Sequence, residues 1–90
     1  MTRLMIKILE PEIEKSEEMV MDAMMAVQGL PIVAEVEKIR DLEKIKKLYN
    51  VTETPGIVVN GKVMVAGRAP QREEIRKWLH EEFKQGQNPN

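Results

Sequence analysis

The chain has 90 residues, with 14 Lys+Arg against 15 Asp+Glu, a formal net charge of -1, and no cysteine. That balance leaves no basic footprint for nucleic acid, and no apolar run approaches the ~18 residues that a membrane span needs. Without cysteine this chain forms no disulfide, carries no thiolate and holds no cysteine-ligated zinc or iron–sulfur site.

The size predicts one domain over residues 1–84 and a flexible polar tail over 85–90. Met1 to Leu9, broken by Arg3 and Lys7, does not read as a signal peptide, so the expected location is cytoplasmic. Leu4 to Leu9 is a nearly continuous apolar run, the pattern of a central strand covered on both faces. After Pro11 a helix is predicted. Glutamates crowd its first turns, and Ile13, Val20, Ala23, Met24 and Val27 are placed on its inward face. Gly29 and Pro31 end it. Ile32 to Glu37 reads as a strand nearer the sheet edge, parallel to the first because a helix links them.

Asp41 is the expected N-cap of a second helix with Leu42, Ile45, Leu48 and Tyr49 as its apolar stripe, and Asn50 closes it. Ile57-Val58-Val59 and Val63-Met64-Val65 around Asn60-Gly61 form a hairpin with a type I′ turn signal. Gly67 to Pro70 is a loop. A third helix spans Arg72 to Phe83, with Ile75, Trp78, Leu79 and Phe83 inward and a weakly specified start at Gln71. The resulting order is β-α-β-α-β-β-α.

Thr54-Pro55-Gly56-Ile57-Val58-Val59-Asn60-Gly61-Lys62-Val63, followed by Gly67-Arg68-Ala69-Pro70, is the specific signal. With the element order it resembles the small thioredoxin/glutaredoxin-like proteins labelled "redox-active disulfide protein 2", over Leu4 to Phe83. The resemblance implies an α/β thioredoxin-like fold: a four-stranded mixed sheet flanked by three helices. It also implies a cis peptide before Pro55, although the proline taken alone reads as a trans residue opening a strand. Family members carry C-x-x-C where this chain has Ile13-Glu14-Lys15-Ser16. The implied thiol–disulfide exchange needs a thiolate at the helix N-terminus, which Ile13 and Ser16 cannot supply. Such a role would survive only with a thiol lent by a partner. His80, the one histidine, lies in the last helix, remote from this site in the family fold. No non-thiol catalytic constellation replaces it, so no enzyme activity is expected.

Two uses of the chain follow. An extended peptide or protein segment can be held at Ile13, Ser16, Thr54, Pro55 and Gly67, the residue before the proline offering its backbone for strand-like pairing. Glu10, Glu12, Glu14 and Glu17 would give that site an acidic rim favouring basic or neutral partners, though they also suit an ordinary helix start. Alternatively, Met21 and Met25, flanking Met24, leave thioether surface for a homodimer. Copper(I) is disfavoured because Met19 and Met21 point about 200° apart on a helix, so no metal and no cofactor are expected.

Overall fold

Seven elements follow one another in the computed structural model, which describes residues 2–87. They are β1 (Thr2–Leu9), α1 (Ile13–Ala26), β2 (Ile32–Ile39), α2 (Leu42–Tyr49), β3 (Gly56–Val59), β4 (Lys62–Ala66) and α3 (Arg72–Gln87). The sheet order is β2-β1-β3-β4. β1 pairs in parallel with β2 and antiparallel with β3, and β3 pairs antiparallel with β4. This is the mixed four-stranded sheet with three helices expected of a thioredoxin-like fold, with β2 at an edge. α3 continues past Phe83 to Gln87, and the remainder of the expected polar tail, 88–90, lies outside the described residues.

Alternation along the strands sorts the core into two layers. Leu4, Ile6 and Ile8 of β1 and Ile57 and Val59 of β3 pack with Met19, Ala23 and Ala26 of α1 and with Ile75 and Leu79 of α3. Leu9 and Val58 point the other way, into a smaller cluster with Ile45 of α2 and with Val51. β1 is therefore covered on both faces at Leu9 but not along its whole length, since Met5 is exposed. An eight-residue helix is only about 12 Å long and cannot roof a strand of equal residue number, which spans about twice that.

α1 is rotated from the expected face. Its buried residues are Ser16, Met19, Ala23 and Ala26, while Ile13 and Met24 are exposed and Val20 and Val27 sit at the margin. Small side chains at 16, 23 and 26 let the helix backbone approach the sheet and α3, with Met19 the one large side chain inserted between them and Met21, Met24 and Met25 left outside. In α2 only Ile45 is buried and Tyr49 half-buried; Leu42 and Leu48 are exposed. Leu48 lies about 80° around the helix from the Ile45–Tyr49 line, too far to reach the sheet.

The punctuation residues act as their chemistry dictates. Asp41 accepts the backbone N–H groups of Glu43 and Lys44, and Asn50 closes α2 in the left-handed conformation at φ 55°. Asn60 and Gly61 take φ 49° and 83°, the positive values of a type I′ turn. Asn60 also clips the turn to β1: its N–H donates to the Met5 carbonyl at 2.8 Å, and its Oδ1 accepts the Met5 N–H at 2.9 Å. The hairpin carries a register shift between Ile57 and Val58, so that Ile57 faces Val65 while Val58 faces Val63.

Candidate functional site

The end of β1 and the beginning of β3 meet, with Leu9 opposite Gly56. The turn into α1 and the Thr54-Pro55 segment therefore emerge at the same end of the sheet. The Thr54–Pro55 peptide is cis. The Pro55 carbonyl accepts the Gly67 N–H at 2.8 Å, which draws the loop after β4 alongside. Gly67 has φ +92°, and a Cβ there would fall 2.8 Å from Glu53 Oε2, so the Glu53 side chain occupies the space a larger residue would need. Among the described residues no backbone–backbone hydrogen bond engages Thr54.

α1 starts against this end. Glu12 is its N-cap in extended conformation and makes no side-chain cap bond. Its N–H instead donates to Glu10 Oε2 at 2.8 Å, and Glu10 is buried. Ile13, the first helical residue, is 58% exposed, whereas Ser16 is fully buried and its Oγ has no hydrogen-bond partner. The two positions where the resemblance places thiols thus have opposite environments: one presents an alkyl group to solvent, the other hides a hydroxyl. Ile13, Thr54, Pro55 and Gly67 share one end of the molecule with surface to offer. Ser16 lies beneath it.

The charges divide differently from the expected rim. Glu14 and Lys15 are exposed, and Lys15 pairs with Glu12 at 3.6 Å. Glu17 turns away toward β2, where it pairs with Lys38 and, at 3.4 Å, with Arg40. The hydrogen bond from Lys38 pulls the Glu17 carboxyl below its ordinary range. His80 lines a separate hollow with Leu30, Glu73, Arg76 and Lys77. Met19 is buried and Met21 is exposed, so these two thioethers lie on different sides of α1.

Two contributors escape a motif reading. Glu53 fills the space over Gly67 through a contact between residues 14 positions apart. Glu74 accepts the Gln71 N–H at 3.0 Å and takes both terminal nitrogens of Arg68. Glutamate three residues after a helix-start residue is half of a capping box, and that spacing was the available signal.

A thioredoxin domain family model matches residues 4–80 of this chain. Over 54 residues the chain is 41% identical to a protein named thioredoxin from Methanothermobacter thermautotrophicus, an alignment covering 60% of this chain and 69% of that protein. Matching element order, a cis peptide before Pro55 and family similarity across most of its length agree: the chain belongs to the thioredoxin domain family, and it does so without a single cysteine.

Proposed function

We propose that this chain is a redox-inactive thioredoxin-like module that binds an extended segment of a partner protein at the end of the sheet formed by Ile13, Thr54, Pro55 and Gly67. Thiol–disulfide exchange proceeds by thiolate attack on a disulfide sulfur, and this chain holds no thiol. The observation that carries the reading is Thr54: no backbone–backbone hydrogen bond engages it among the described residues, and it adjoins the exposed alkyl group of Ile13 only through a shared end of the sheet. An extended segment laid there gains main-chain hydrogen bonds at Thr54 and an apolar contact at Ile13.

The charged groups nearby favour a neutral or basic segment. Glu14 and Glu53 are exposed, and of the local cations Lys15 is paired with Glu12 and Arg68 with Glu74. The test is a titration with extended peptides of neutral, basic and acidic composition, followed by backbone amide shifts. Perturbation centred on Thr54 and Ile13, strongest for the basic peptide and lost in Ile13→Glu, is expected. Shifts confined to other surfaces would overturn the proposal.

A further inference from the structure

The outer face of α1 is apolar where a solvated helix would be polar. Met21, Met24 and Met25 are 63%, 50% and 38% exposed, while the preceding turns present Glu14, Glu17 and Glu18 to solvent. On one flank α3 runs alongside, and a cleft of about 600 Å³ opens between Met25 and the Pro70–Arg76 segment. Asp22 and Arg72 close part of that flank as an ion pair at 2.9 Å. Further along, Arg76 Nη1 donates to the Gln28 carbonyl at 3.2 Å. Among the described residues neither Arg76 nor Glu18 has an ion-pair partner, although Glu17, Asp22 and Arg72 between and around them are all paired.

We propose that a second copy of this chain covers this face, forming a two-fold dimer by antiparallel packing of α1 on α1. A two-fold axis lying in the interface and crossing both helices keeps α3 on the same side in both copies. The register that sets Met21 opposite the partner subunit's Met25 sets Glu18 opposite the partner subunit's Gln28. That is the residue whose carbonyl holds Arg76, so Glu18 of each copy meets the unpaired guanidinium of the other. Asp22 and Glu73 share that flank with Arg72 and Arg76, and Asp22 already neutralises Arg72, so the charge complementarity of the contact is the Glu18–Arg76 pair repeated on either side of the axis. Such an isologous contact needs both halves on one surface, and this chain supplies both. Flexible thioethers suit the centre because they repack against one another without a preformed pocket.

The face centres on Met21 and Met25, eight and twelve residues along α1 from Ile13, and its test reads self-association rather than peptide-induced shifts, so its failure is distinguishable from failure of the peptide-binding reading. Sedimentation equilibrium of the full chain at several concentrations is the test, with circular dichroism verifying that each variant is folded. The expected result is a concentration-dependent dimer that Met21→Glu abolishes. Glu18→Arg alone or Arg76→Glu alone weakens it about tenfold, the sum of two lost rim pairs and new repulsion. Combining the two substitutions restores the association to within about threefold of the original, because the charges are exchanged rather than removed. A protein that stays monomeric up to about 1 mM, or a dimer indifferent to these substitutions, would overturn the proposal.

Discussion

The Arg68 guanidinium grips both carboxylate oxygens of Glu74, Nη1 to Oε1 at 2.9 Å and Nη2 to Oε2 at 2.7 Å. The same carboxylate accepts the Gln71 N–H at 3.0 Å, so one side chain joins the loop after β4 to the first turn of α3. These bonds hold Glu74 well below the ordinary value of 4.5, at about 2, with the Arg68 hydrogen bond the largest cause. A carboxyl depressed by folding contributes its full stability above its unfolded value and loses it as the pH falls toward the folded one. Stability should therefore decline between pH 4.5 and about 2 through this group. Urea unfolding across that range is expected to give Glu74→Gln a shallower acid limb than the parent chain. Equal limbs would show that the grip on Glu74 adds nothing to folding.

Ser16 supplies a contrasting prediction. Its hydroxyl is fully buried and has no partner, and a buried polar group left unpaired costs roughly 1–3 kcal/mol. Ser16→Ala removes that cost and leaves only a small void, so it should stabilise the chain by about 1 kcal/mol. Ile13→Ala, at an exposed position, should change stability by less than about 0.5 kcal/mol. Denaturant midpoints at constant slope measure both. A destabilised Ser16→Ala would mean that the hydroxyl is paired in solution.

The same residue explains where sequence reading succeeded and where it slipped. Signals carried by one or two adjacent residues survived folding: the Asp41 cap, the Asn50 left-handed stop and the Asn60-Gly61 turn all sit where their local chemistry places them, whereas the cis peptide before Pro55 followed from the family resemblance and not from the proline alone. The inward face of α1 was not legible in this way. The expected stripe through Ile13, Val20, Ala23, Met24 and Val27 places only Ala23 fully inside; Ile13 and Met24 are exposed, and the packed face adds Ser16, Met19 and Ala26. Close approach of a helix to a sheet rewards small side chains, which hydrophobicity patterns undercount. The site followed suit. Its backbone positions were readable, but the depth of Ser16 and the Glu53 side chain over Gly67 depend on contacts distant in sequence.

Gly67 tests the loop that flanks Pro55. Its φ of +92° is unfavourable for any residue with a Cβ, and that Cβ would fall 2.8 Å from Glu53 Oε2. Gly67→Ala should therefore destabilise by about 1–2 kcal/mol. The Glu53 carboxylate is the far end of an exposed, flexible side chain and can move aside, so adding Glu53→Ala should return little of the loss and the backbone penalty should remain. Thermal or urea unfolding of the four-member cycle checks this. Full recovery in the double variant would assign the whole effect to the side-chain contact.

The last prediction concerns the thinner layer of the fold. Ile45 is the only fully buried residue of α2, and it closes a cluster with Leu9, Val51 and Val58 beneath a helix of 8 residues. Leu48, on the same helix, is 66% exposed. The two leucine-sized side chains look alike in sequence and differ in what they bury. Ile45→Ala should cost about 2–4 kcal/mol, since it opens a void in a cluster too small to collapse around it. Leu48→Ala should cost less than about 0.5 kcal/mol. Hydrogen exchange adds the local readout: in Ile45→Ala the amides of α2 should lose protection before those of β1, which stays anchored by the opposite layer through Leu4, Ile6 and Ile8. If α2 and β1 lose protection together, the two layers unfold as one unit and α2 is no separate weak point.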